Sequence, residues 1–233
     1  MDKYPVKCTD TAPVISVAGA GGKTTTIERI AQNYREQGRP VIVTTTTHMA
    51  VSCDPRFLLE PSMEKLAIML RQQGWAWVGL PAENGKMKAV PEGFLKQILA
   101  MKLPVLIEAD GARGLPCKAP AAHEPVIIPE TTHVLSVYGL DAVGGQIKDV
   151  CCRPQETARI LNKSLSDRIL PEDIAVLGLS PRGGRKNVGE NMKYSVILNK
   201  ADDTMRRETA AEICREFNKR GFTDVFITAK VQV

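Results

Sequence analysis

Gly19-Ala20-Gly21-Gly22-Lys23-Thr24-Thr25-Thr26 leaves this chain few architectures to choose from. An apolar run, Val14-Ile15-Ser16-Val17-Ala18, precedes it and reads as a buried strand. Ile27, Ile30, Ala31 and Tyr34 follow at helical spacing. Strand, glycine-rich turn, Lys-Thr, helix is the arrangement of a phosphate-binding loop. Glycine lets backbone N–H groups close around phosphate oxygens that any side chain would hold away. In such a loop Lys23 reaches the β- and γ-phosphates as a point charge and is not a core residue. Thr24 ligates Mg²⁺, and Gly19, Gly21, Gly22 and Thr25 complete the cradle. The loop is a shortened variant, because the first glycine of a strict G-x-x-x-x-G-K-T falls at Val17. The plainer alternative is a structural turn that binds nothing.

A second segment points to the same chemistry. Tyr194–Leu198 reads as a strand and ends in Asn199-Lys200-Ala201-Asp202, the N-K-x-D pattern with which GTPases read guanine. A carboxylate at Asp202 accepts from both N1–H and the N2 amino group of guanine, and adenine offers neither donor there. Asn199 buttresses the loops and the Lys200 stem lies across the base. Asp203–Gly221 reads as one helix, then Asp224–Thr228 as a strand running into Ala229-Lys230. Thr-Ala-Lys resembles the last GTPase motif, in which the Ala229 N–H meets the guanine O6. The alternative is that Asp202 only caps the helix behind it.

The third element is Val105-Leu106-Ile107-Glu108-Ala109-Asp110-Gly111. An acid at the end of an apolar strand is what a nucleotide site needs to hold Mg²⁺, directly or through water. Glu108 and Asp110 both qualify: Glu108 follows the apolar run directly and is favoured for the ion, while Asp110 is closer to the Asp-Gly turn and would position water or respond to the γ-phosphate. With Lys23 they form the expected catalytic set. The plainer reading is a surface Asp-Gly turn. Thr47, His48, Arg113 and His123 fall near strand ends or in the loop after the acids, where a substrate would lie. Cys117, Cys151 and Cys152 lack a C-x-x-C spacing and read as ordinary thiols. Arg182, Arg185 and Lys186 read as a solvated basic loop, and Trp75 and Trp77 as packing residues.

Nearly continuous Val, Ile and Leu strands alternate with amphipathic helices. This implies an α/β domain, P-loop NTPase-like, with a mostly parallel sheet and helices on both faces. With 233 residues, 43% of them hydrophobic, the chain suits a single domain over residues 1–233. A long loop at about 110–132 and a basic loop at about 181–191 interrupt the alternation. A net charge of +5 suits a polyanionic nucleotide, while 5% aromatic residues argue against a nucleic-acid binder. No apolar run is long enough to span a bilayer, and Met1–Lys7 lacks a signal-peptide core. Six irregularly spaced cysteines suit reduced thiols in a cytoplasmic protein.

Lys23-Thr24-Thr25-Thr26 and its helix resemble the signal-recognition-particle and division-positioning class of P-loop proteins. Glu108–Gly111 is similar to the E-x-x-G of GTPases that insert metals into urease and hydrogenase, and the short loop is similar to that of the ATP-dependent Mur ligases. More specifically, the chain resembles the YqeC family in Val43–Met49, Glu108–Pro116, Lys118–Pro129, Arg153–Glu156 and Leu198–Asp202. That resemblance implies a nucleotide-binding accessory protein for a selenium-dependent molybdenum hydroxylase. The expected cofactors are Mg²⁺ and GTP or ATP, with GTPase activity favoured. The expected partners are the nucleotide and either the hydroxylase client or a small anionic substrate, without nucleic acid or membrane. A nucleotide-dependent ligase or transferase, and a regulatory module that holds nucleotide without turnover, are the other classes open.

Overall fold

The computed structural model describes residues 12–229. The sequence readings of the N-terminal segment and of Lys230 lie outside these residues. The first half contains β1 (Val14–Gly19), α1 (Lys23–Glu36), β2 (Val41–Thr45), β3 (His48–Ala50), β4 (Phe57–Leu58), α2 (Met63–Gln73), β5 (Trp75–Val78), β6 (Leu80–Ala82), β7 (Lys86–Lys88), α3 (Glu92–Ala100) and β8 (Val105–Glu108). The second half contains β9 (Cys117–Lys118), β10 (His133–Gly139), α4 (Ile147–Val150), β11 (Cys151–Cys152), α5 (Pro154–Leu161), α6 (Pro171–Leu179), β12 (Lys193–Asn199), α7 (Thr204–Lys219) and β13 (Val225–Ile227). The principal sheet has eight strands in the order β13-β12-β10-β1-β8-β2-β5-β4, and every pairing in it is parallel.

Side chains along a strand alternate between its faces, and the sequence fills both with apolar residues. Ile15, Val17, Val43 and Leu106 pack with Ile27, Ile30 and Tyr34 of α1. Their neighbours Val14, Ile42, Val105 and Ile107 pack on the other face with Leu66 and Leu70 of α2 and Ile98 of α3. The register continues this second face to Val134, Val196 and Leu198, which meet α6 and α7 through Ile174, Ile213 and Phe217. The result is the α/β layering expected from the alternation, with helices on both faces. Trp75 and Trp77 are buried as packing residues. No described helix is long and apolar enough to cross a membrane.

The sequence reading missed the three-stranded antiparallel sheet β3-β7-β6. Its strands are only three residues each, and two of the three residues of β7 are lysines, which are weak strand formers. The signal was Asn84-Gly85, both at positive φ (56° and 64°), which turn β6 back onto β7.

Candidate functional site

The β1–α1 turn lies where the chain direction across the sheet reverses. From β1 the chain crosses to β2, beyond β8, and later returns to β10 on the other side of β1. Such a switch point opens a crevice at the carboxyl ends of the strands. Val17, where a glycine would begin a longer loop, is fully buried within β1. The turn is packed too tightly for side chains. A Cβ on Gly21 (φ 78°) would sit 2.2 Å from the Gly139 nitrogen, and one on Gly22 (φ 122°) 2.1 Å from Asn199 Nδ2. That amide donates to Gly21 O at 2.9 Å, and Asn199 Oδ1 accepts from Thr228 Oγ1 at 2.9 Å. The end of β12 therefore holds the turn from behind. Helix α1 starts at Lys23 with no side-chain cap, so no capping side chain accepts from its first-turn N–H groups. Lys23, Thr24 and Thr25 line a cleft of about 1050 Å³.

Glu108 and Asp110 occupy different environments. Glu108 closes β8 between Val17 and Thr45 of the flanking strands and lines the cleft. Its Oε2 accepts from Thr24 Oγ1 at 3.1 Å. Burial pushes its carboxyl above the usual range, and Lys23 and the Thr24 hydroxyl only partly oppose that shift. Asp110 lies behind the turn, 1% exposed. Its Oδ2 accepts the Gly19 N–H at 3.1 Å and pairs with Lys118 Nζ at 2.9 Å. Its Oδ1 is 3.3 Å from Lys23 Nζ, too oblique for a directed hydrogen bond. The two acids read as rivals for one metal are thus a cleft-facing carboxylate beside Thr24 and a buried clamp on the loop. Lys23 also departs from expectation. It is 6% exposed, and its Nζ donates to Gly19 O at 2.9 Å, so it is part of the buried structure.

The ion pairs continue away from the loop. Lys118 Nζ donates to Gly111 O at 2.6 Å and meets Glu124 Oε2 at 2.7 Å. Arg153 grips Glu124 through Nη1 to Oε2 at 2.8 Å and Nη2 to Oε1 at 3.1 Å. Burial raises the Glu124 carboxyl, but Lys118 and Arg153 outweigh it and leave the pKa lowered. None of Lys118, Glu124 and Arg153 stood out as a site residue in the sequence, although all fall in the segments that resemble the YqeC family.

Thr47, His48, Arg113 and His123 line the same cleft as Thr24 and Glu108. The threonine run is tied down: Thr45 Oγ1 donates to Glu108 O at 2.9 Å and Thr46 Oγ1 to Val126 O at 2.8 Å. Lys200 also lines the cleft, with Nζ 2.6 Å from Asp141 Oδ2. Asp202 and Ala229 do not line it. Their loops are adjacent, because the Ala201 N–H donates to Thr228 O at 2.9 Å. Asp202 Oδ2 lies 3.6 Å from Arg206 Nη1. The cap of α7 is Asp203, whose Oδ1 accepts the Arg206 N–H at 2.8 Å, so the capping role considered for Asp202 belongs to its neighbour. Cys152 faces the cleft, whereas Cys117 and Cys151 are buried partners in register on β9 and β11. In the 181–191 loop Arg182 and Arg185 are exposed, as read from the sequence, while Arg185 also stacks 4.8 Å from the Tyr194 ring centroid and the half-buried Lys186 donates from Nζ to Ala122 O at 2.8 Å.

Comparison with known proteins agrees with the resemblance read from the residues. A family model described as YqeC protein matches residues 15–155. A relative in Escherichia coli (strain K12), named Uncharacterized protein YqeC, is 32% identical over 193 residues. That alignment covers 80% of this chain and 75% of the relative.

Proposed function

We propose that this chain, which belongs to the YqeC family, binds Mg²⁺ with GTP or ATP across the β1–α1 turn and hydrolyses the nucleotide. The observation that carries the reading is the pairing of Thr24 Oγ1 with Glu108 Oε2 beside the uncapped start of α1. A hydroxyl and a carboxylate, oxygen donors facing a cleft, suit Mg²⁺. Thr24 and Glu108 would hold the ion, which neutralises charge on the terminal phosphates. The first-turn N–H groups of α1 bind the phosphate oxygens. Lys23 exchanges Asp110 for the γ-phosphate, while Lys118 keeps Asp110 compensated. In this reading hydrolysis switches the protein's hold on a client, which the family resemblance implies to be a selenium-dependent molybdenum hydroxylase.

A second reading is phosphoryl transfer or ligation to a small anionic acceptor. One observation favours it: the cleft that Glu108 lines is also lined by His48 and Arg113. Calorimetry with Mg²⁺–GTP and Mg²⁺–ATP, followed by turnover assays on the parent and Glu108→Gln proteins, tests the proposal. Binding by the parent, with turnover lost in the variant beyond any loss of affinity, is the expected result. Absence of binding by either nucleotide overturns the reading, and binding without turnover leaves a nucleotide-holding module.

A further inference from the structure

We propose that the β3–β7 ribbon, with Arg113 of the same cleft, is the binding subsite for a small anionic second substrate bearing carboxylate or phosphate groups. Its placement next to a terminal phosphate rests on the nucleotide reading above, whereas its affinity for an anion does not.

The ribbon is built to present charge. Antiparallel pairing sets His48 opposite Lys88, Met49 opposite Met87 and Ala50 opposite Lys86. Met49 and Met87 are 4% and 0% exposed and anchor one face in the core. Alternation therefore turns His48, Lys86 and Lys88 to the other face, where all three are exposed and line the cleft.

The other cations of the cleft already have partners. Lys23 is held by Asp110, Lys200 by Asp141 and Arg153 by Glu124. No described carboxylate lies within 4.0 Å of Lys86, Lys88 or Arg113. The acid nearest the ribbon in the adjoining recess is Glu83, whose carbonyl accepts the Lys86 N–H at 3.3 Å. Three like charges around one cleft repel one another, and a bound oxyanion relieves that repulsion.

Position and size narrow the ligand class. Only Thr46 and Thr47 separate β3 from Thr45, which is in register with Glu108, so the subsite adjoins the metal-binding end of the cleft. Strands of three residues extend about 10 Å, room for one or two anionic groups. No Phe, Tyr or Trp lines the cleft, which removes the stacking platform a single-stranded nucleic acid would need.

The test uses the whole chain with citrate as the carboxylate probe and ribose 5-phosphate as the phosphate probe, titrated with and without a non-hydrolysable Mg²⁺–triphosphate. The parent protein is expected to bind one of the two, which identifies the anionic group. Lys86→Glu with Lys88→Glu is expected to weaken that binding by on the order of tenfold or more, with the unfolding midpoint and nucleotide affinity unchanged. Failure of both probes, or equal binding by the double variant, overturns the subsite. A double variant that loses the nucleotide itself overturns it too, because the lysines would then belong to the phosphates. Binding of a single-stranded oligonucleotide in place of either probe assigns the ribbon to a macromolecular partner and also overturns it. If no nucleotide binds but the anion effect persists, the nucleotide reading fails and the subsite stands.

Discussion

Lys23 illustrates how a residue's chemistry depends on what its neighbours require. A lysine after a glycine-rich turn is expected to reach into solvent, yet here its ammonium is buried between Gly19 O and Asp110. Lys23→Ala should therefore lower stability and, on the proposed function, also weaken triphosphate binding strongly. Asp110 would keep only Lys118 and the Gly19 N–H, at a cost of about 1–3 kcal/mol. Urea unfolding checks this, and adding Asp110→Asn should recover part of the loss; an unchanged midpoint in Lys23→Ala would show that the lysine carries no structural charge. Glu108 has the opposite bias. Its folded pKa is raised above its ordinary value of 4.5, mainly by burial, so its contribution to stability is full below that value and declines as pH rises through the folded pKa. Glu108→Gln should consequently gain in melting temperature relative to the parent as pH rises from about 4.5 towards neutrality. The same change should weaken Mg²⁺-dependent binding. A melting difference that does not vary with pH would remove the burial argument.

At the level of elements, the strands that carry the site were legible because each is a run of apolar residues long enough to bury both faces. The end of β8 gave up Glu108 and the end of β12 gave up Asn199 for the same reason. The β3–β7 ribbon was not legible, since strands as short as His-Met-Ala and Lys-Met-Lys resemble a loop. Asn199 shows what the end of a strand does for its neighbour. Asn199→Ala would leave Gly21 O and Thr228 Oγ1 without their amide partner, at about 1–3 kcal/mol. Because one of those atoms belongs to the glycine turn, nucleotide affinity should fall with stability; hydrogen exchange at residues 19–25 would show faster opening, and unchanged protection there would remove the link. The same end of the sheet holds the guanine reading. Asp202 lies beside the β13 end but outside the cleft, in contact with Arg206. If it reads guanine, Asp202→Asn should weaken GTP and leave ATP alone. Equal displacement of a fluorescent nucleotide by ATP and GTP from the parent protein would sink that role.

Across the whole molecule, one chain of charges runs Lys23–Asp110–Lys118–Glu124–Arg153, buried except at its Arg153 end, and joins the β1–α1 turn to the start of α5. Nothing in the sequence spacing identifies these five as a set, because their association is purely tertiary; in the sequence Lys118 is only a lysine in a long loop. In the fold it is the node, with Asp110, Glu124 and Gly111 O as partners and a side chain 1% exposed. Lys118→Met fills similar volume without the charge and leaves two carboxylates under-compensated. Breaking a buried pair in this way is worth about 3–5 kcal/mol of stability, part of which Asp110→Asn should restore. A functional consequence follows as well, although Lys118 does not line the cleft. For Lys23 to leave Asp110 and engage a phosphate, another cation must hold that buried carboxylate, and Lys118 is the one in place. In Lys118→Met, Lys23 remains bound to Asp110, so Mg²⁺–triphosphate affinity should fall by on the order of tenfold or more. Lys118→Arg, which keeps the charge, should retain most of it. Calorimetry at a temperature where every variant is folded separates this effect from instability, and a folded Lys118→Met protein that binds as tightly as the parent would break the connection between the two ends of the network.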